Sequence, residues 1–472
     1  MFTFTTYQQK VWQQRWQALK EAINATDAAL PTGTTPREQT LRCLLKTLQT
    51  FGEAQFNYFY SSDSPSKQYS REYALSVTLG QVADDLEAIE RATHQRVSAT
   101  PRVRDTLDRA DRLAFWALQP AIGRLLKEKT TVLTYFQKSP AIRVIPYAQV
   151  ALIGIPFTCI SNAQDFFAVP HEAGHFVFWQ GTVPEGGDTE AHIYTAMPKR
   201  LSDIQERLKL PKSVLRWTEE IFADVYGALI AGPAIAIDFQ DLQLNRTRDE
   251  FVEDDGEHPV PVLRPDVYAR AIEKISEKDP ALKEWPQRLR DRWKVRLSER
   301  GYPERFKPYS PPTFGDPVGP DVSGISAPLG GREPRLRLDD EHKLKDAREK
   351  VDKVVDAAYD RLKDIDPAAD WWKSVRSEVK LYDVGELEKV YDDFERKVYE
   401  IDLTGPEPDF LKLEPCEVDP KALQKRFIDE DGKIRLLLSE REISAFTVEE
   451  MDWVAVLRAG GWATKGPGSQ WP

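Results

Sequence analysis

The chain has 472 residues, enough at about 150 residues per domain for two to four domains. Hydrophobic residues make up 41% and charged residues 30%, which excludes membrane-embedded, collagen-like and low-complexity classes. Twelve Trp, 16 Tyr and 21 Phe exclude wholesale disorder, and a net charge of -11 speaks against a nucleic-acid binder.

Three cysteines, Cys43, Cys159 and Cys416, are widely separated, and the sequence reading expects neither a zinc ribbon nor a disulfide framework. The N-terminus lacks a basic region followed by an apolar stretch, and the longest apolar tract, Val150 to Ile160, is too short to span a bilayer. The expectation is a soluble, cytoplasmic protein without membrane insertion, with export by a signal-less route left open.

Apolar residues at three- and four-residue steps predict helices over 7–30, 37–60, 71–96 and 102–127. Residues 141–160 are β-branched, apolar and punctuated by proline, which predicts one or two short buried strands. The segment FFAVPHEAGHFVFWQG reads as a buried helix closed by Gly181. After a polar stretch, SVLRWTEEIFADVYGALIAGP reads as a second one, with Ser213 as N-cap and Gly232-Pro233 as the stop. Residues 302–337 are rich in Pro and Gly and read as a linker or wrapping segment. Beyond them a charged helical region carries the narrow stripe Val351, Val354, Val355, Ala358 and Leu362. A hairpin at Asp431-Gly432, a capping box at Thr447 and Glu450, and a disordered tail from 461 complete the reading. The expected class is predominantly α with a small β-sheet. Its expected divisions are 1–138 (helical), 139–301 (catalytic), 302–337 (linker), 338–460 (charged helical with a small hairpin) and 461–472 (tail).

The most informative residues are His171-Glu172-Ala173-Gly174-His175. On a helix, residues four apart differ by about 40° in azimuth and about 6 Å in height, so both imidazoles can bind one zinc ion. Glu172 lies about 100° round, placed to act as general base toward a water activated by the metal. Gly174 costs roughly 1 kcal/mol relative to Ala inside a helix, which makes sense if something approaches the backbone closely. The alternative is a pair of core histidines on a buried helix. A third ligand is available in Glu220-Ile221-Phe222-Ala223-Asp224, where two acids four apart interrupt an apolar helix. Glu220 can bind zinc while Asp224 accepts a hydrogen bond from the far nitrogen of a ligand histidine. The alternative here is a solvated acidic face holding both Glu219 and Glu220.

HEAGH followed by E-I-F-A-D resembles the glutamate-zincin (gluzincin) superfamily of metallopeptidases, the thermolysin-like class, over roughly residues 141–275. The resemblance implies zinc at His171, His175 and Glu220, Glu172 as catalytic base and Asp224 behind a ligand histidine. Gly232-Pro233, and His258-Pro259 followed by Arg264, are also similar to bacterial members of that group. By that likeness His258 is the candidate for holding the oxyanion of the tetrahedral intermediate. Arg264 is a candidate for a buried pair or a substrate contact, and Tyr226 for substrate or oxyanion contact. In such folds a substrate pairs with an edge strand above the active-site helix, a place expected to be filled by Val144 to Phe157. The spacing between His175 and Glu220 is much longer than in thermolysin.

These expectations amount to a zinc-dependent metallopeptidase acting on a peptide or protein, with the C-terminal helical region offering a face to a partner protein. The alternative is a binding, structural or effector protein whose metal site is inactive or only stabilises the fold.

Overall fold

Twenty-four residues free of proline and glycine form α1 (Thr6–Ala29), opened by a capping box between Thr5 and Gln8. The computed structural model describes residues 5–32, 35–61, 71–145, 147–186, 189–194, 196–197, 201, 217–256, 258–307, 336–366, 370–378 and 388–414. Helices α2 (Pro36–Ser61) and α3 (Arg71–Val97) pack with α1 around Trp12, Trp16, Leu44, Leu48, Phe51, Leu75 and Val82. Helix α4 (Pro101–Leu118) ends well short of the predicted 127. The backbone tightens to a 3-10 turn over Gln119–Ala121, where Pro120 has no N–H to continue the helix.

A three-stranded sheet follows: β1 (Thr131–Gln137), β2 (Ala141–Val144) and β3 (Val150–Pro156), in the order β1-β3-β2. β1 runs parallel to β3, with Thr131 opposite Val150, and β2 runs antiparallel to it, with Ala141 opposite Gly154. Leu133, Tyr135, Val150 and Leu152 face the α1–α3 bundle, while Val132, Phe136, Ala151 and Ile153 join the core on the other side. Burial on both faces explains the continuous apolar runs. β1 lies inside the stretch read as helical, and the expected division at 138 falls between two strands of one sheet. The edge-strand expectation for Val144 to Phe157 is corrected: Val150–Pro156 is the central strand, paired on both sides, and the antiparallel edge is β2.

Helix α5 (Ala168–Gln180) carries the HEAGH residues and ends at Gly181 as expected. An unanticipated hairpin follows, β4 (Thr182–Gly186) with β5 (Thr189–His192). Helix α6 (Thr218–Ala231) carries the E-I-F-A-D residues, and the proposed N-cap Ser213 lies outside the described residues. Gly232 stops it at φ +65°, a conformation suited to glycine, and Pro233 opens α7 (Pro233–Gln243). Then come α8 (Arg248–Val252), α9 (Arg264–Ser276), α10 (Trp285–Arg300), α11 (Glu341–Leu362), α12 (Asp370–Glu378) and α13 (Glu388–Tyr399). The α11 stripe is buried as read, from Val351 to Leu362. The fold is thus predominantly helical with a small sheet. Among the described residues no helix is long and apolar enough to cross a membrane. The linker at 308–335, the hairpin at Asp431-Gly432, the capping box and the tail lie outside the described residues.

The cysteine expectation is corrected. Cys43, buried in α2, is disulfide-bonded, and its partner lies outside the described residues; Cys159 is free and buried. Sequence distance is no guide here, because residues near 410 run back along α2. Thr40 Oγ1 donates to the Leu411 carbonyl at 2.6 Å and accepts from the Leu413 N–H at 2.8 Å. The spacing of the cysteines therefore lends no support to the cytoplasmic expectation.

The contact that shapes the centre of the molecule is the crossing of α5 and α6. A Cβ on Gly174 would lie 2.7 Å from the Ala223 Cα and 3.0 Å from its carbonyl oxygen. The close approach inferred from the sequence is the backbone of α6. Gly174→Ala tests it, because two effects oppose: helix propensity favours Ala by about 1 kcal/mol, while overpacking a core costs about 1–3 kcal/mol. The melting temperature is expected to fall, and a rise would show that the helices can part cheaply.

A second prediction comes from Asp238 on α7. Burial, with Asp165 and Asp241 nearby and only Arg292 opposing, raises its carboxyl from 3.8 to about 7. The folded state therefore holds a proton that the unfolded chain releases near pH 4, and stability contributed by this group is lost as pH rises toward 7. Asp238→Asn should raise the melting temperature more at pH 8 than at pH 5. An equal change at both pH values would contradict this.

Candidate metal centre

The α5–α6 crossing turns one face of each helix toward the other. His171 and His175 project from α5 with their Nε2 atoms 3.1 Å apart and their rings nearly perpendicular, at 87°. Glu220 projects from α6, with Oε2 3.6 Å from His171 Nε2 and Oε1 3.6 Å from His175 Nε2. One ligand atom from each of the three lies within 4.8 Å of the others, a cluster able to hold a metal ion.

The far side of each imidazole meets a carboxylate. His171 Nδ1 lies 3.0 Å from Asp224 Oδ1, and His175 Nδ1 lies 3.0 Å from Glu219 Oε1. Asp224 also accepts from Arg264 Nε at 2.8 Å, Arg264 Nη2 at 2.9 Å and the Tyr268 hydroxyl at 2.9 Å. Glu219 also accepts from Trp179 Nε1 at 2.6 Å. Guanidinium and indole only donate, so both carboxylates serve as acceptors; Glu219 takes the His175 Nδ1 proton, while His171 Nδ1, though 3.0 Å from Asp224, is not aligned for a hydrogen bond. The two Nε2 atoms face each other at 3.1 Å. That spacing suits a proton on His175 or, in its place, a shared cation, since metal–nitrogen bonds of about 2.0–2.1 Å in a tetrahedron place donors a little over 3 Å apart. The donor set fits the ion.

The electrostatics agree. Burial disfavours ionised Glu220, but His175, Arg264 and His258 outweigh it and hold its carboxyl down at about 2. Burial likewise opposes ionised Asp224, and Arg264 with His171 overrides it, keeping Asp224 well below the usual range. Burial would lower His175, yet Glu220, Glu219 and Glu172 push it up to about 10. This carboxylate field attracts cations. Glu172 is different: burial, with Glu220 adding to it, raises its carboxyl against the opposing pull of His175 and His171. Among the described residues its carboxylate receives no hydrogen bond.

His258 reaches the cluster from the loop between α8 and α9. Its Nε2 lies 3.5 Å from Glu220 Oε1, while its Nδ1 and backbone N–H both meet the Asp255 carboxylate at 2.8 Å. Arg264 is a buried pair partner rather than an open substrate contact. Tyr226 is not brought to the cluster: it is fully buried, and its hydroxyl donates to the Ala117 carbonyl at 2.7 Å.

Sequence reading missed Glu219, Trp179 and Tyr268. A signal for two of them existed, since Trp179 follows His175 by four residues and Tyr268 follows Arg264 by four, so each shares a helix face with a site residue. Glu219 was considered only as part of a solvated face beside Glu220. Comparison with known protein families, with characterised proteins and with solved structures gives no match to this chain.

If these three side chains hold a cation, zinc should raise the thermal stability of the folded protein. At 100-fold excess over the dissociation constant the gain is about 2.7 kcal/mol. His175→Ala and Glu220→Ala should abolish the zinc-dependent shift, and a shift that persists in both would place the ion elsewhere.

Proposed function

We propose that this protein is a zinc-dependent peptidase that hydrolyses peptide bonds. The observation that carries the proposal is Glu172, a buried carboxylate without a protein hydrogen-bond donor among the described residues, adjacent in sequence to one member of the His171–His175–Glu220 cluster. Zinc, when bound, supplies Lewis-acid polarisation of a carbonyl and lowers the pKa of water to about 7.

The chain's own residues supply the rest. Glu172 takes a proton from the attacking water and returns it to the leaving amine. A carboxyl raised above its ordinary value suits both halves of that cycle. His258, held at Nδ1 by Asp255, turns Nε2 toward the cluster and can donate to the developing oxyanion. Glu219 keeps the His175 imidazole in the tautomer that leaves Nε2 free. Strand β2 is the sheet edge that packs against α5, and is where an extended peptide would pair.

Glu172→Gln should retain its metal and lose turnover by about 10²–10⁴-fold on a broad peptide library. His258→Ala should lower kcat by about 10²–10³-fold with the metal still bound. Undiminished cleavage by Glu172→Gln would sink the mechanism. Stoichiometric zinc with no cleavage by the wild type would favour a metal site that only stabilises a binding or effector protein.

A further inference from the structure

The residue that touches most of the cluster is a cation. Arg264 is the first residue of α9, where the helix dipole favours negative charge, and its side chain is buried. A buried cation at that end is costly unless carboxylates hold it. Nε and Nη2 grip both oxygens of Asp224, at 2.8 and 2.9 Å, and Nη2 also donates to Glu220 Oε2 at 2.7 Å. The guanidinium lies over the Phe239 ring, 4.6 Å from its centroid, and that ring packs against Tyr268, which donates to Asp224. The plane of the fork is therefore fixed from two sides.

We propose that Arg264 is a positioning residue that reserves Glu220 Oε2, so that Glu220 offers the cation Oε1 alone. The inference rests on the reading of His171, His175 and Glu220 as metal ligands. Oε1 is the oxygen that faces His175 Nε2 at 3.6 Å and His258 Nε2 at 3.5 Å, and among the described residues it accepts no hydrogen bond. The same guanidinium braces Asp224 behind His171, so a single side chain from α9 sets two of the three ligands. One-oxygen attachment leaves a coordination position open, and sharing the Glu220 charge with Arg264 weakens the ligand and keeps the ion a stronger electrophile. Only a planar fork can do this, because a lysine ammonium is a point charge that cannot hold two carboxylates at fixed angles.

The test uses the full chain loaded with Co(II), and separately with zinc in competition with a chelator. Wild type should give the intense visible absorption of a four-coordinate ion. Arg264→Lys keeps the charge and should shift Co(II) to the weak spectrum of a higher coordination number as Glu220 binds through both oxygens. Its zinc affinity should rise, because Glu220 gains a second bond to the ion and no longer shares its charge, with the far-UV circular dichroism unchanged. A folded Arg264→Lys protein with the wild-type spectrum and affinity would overturn the proposal. Should that variant not fold, a crystal structure of the zinc-loaded wild type decides: one Glu220 oxygen on zinc, with Arg264 on the other, supports it, and two oxygens on zinc overturn it. A wild type that binds neither metal removes the metal-site reading itself, whereas metal binding with two-oxygen Glu220 removes only the role given to Arg264.

Discussion

Everything at the centre of this molecule depends on how closely α5 and α6 approach. Gly174 lets the backbone of α6 come to the distance at which any side chain would collide with Ala223. At Gly227 a Cβ would make only ordinary contact, 3.5 Å, with the His171 backbone nitrogen, so the close approach is carried by Gly174. At that separation short side chains suffice: two imidazoles from α5 and one carboxylate from α6 meet without long, mobile arms. Rigid helices place such groups more accurately than loops can.

The second constraint is charge. Glu172, Glu219, Glu220 and Asp224 share one buried neighbourhood with the guanidinium of Arg264. Each histidine near the cluster has a carboxylate at Nδ1: Asp224 for His171, Glu219 for His175 and Asp255 for His258. The three Nε2 atoms consequently converge on Glu220, at 3.6, 3.6 and 3.5 Å. A core built for stability alone gains little from such an arrangement, because desolvating this many ionised groups costs more than apolar packing of the same volume. The pattern makes sense as a cluster able to hold a metal ion at some cost in stability.

Much of this was legible before any coordinates. The i, i+4 spacing of His171 and His175, and of Glu220 and Asp224, defined one face on each of two apolar helices, and Gly174 marked a close approach to the helix backbone without saying by what. The α11 stripe followed from helical spacing, and the strands near 141–156 from β-branched, apolar, proline-punctuated composition. What escaped was tertiary in origin. β1 lies in a stretch read as helical, and its place in the sheet is fixed by a parallel partner in β3. Whether a strand is central or at an edge depends on topology, so Val150–Pro156 was misplaced. Glu219 looks like any surface glutamate until Trp179 and His175 are folded against it. The Cys43 disulfide left no signal in the wide spacing of the three cysteines.

The most direct test of the central claim is the metal content of the purified protein after equilibration with zinc and gel filtration. The account requires one zinc per chain in the wild type, and a content near zero once His171 and Glu220 are both replaced by alanine. A folded wild-type protein that retains no zinc, or a double variant that retains it in full, would contradict the claim that α5 and α6 together hold a single cation.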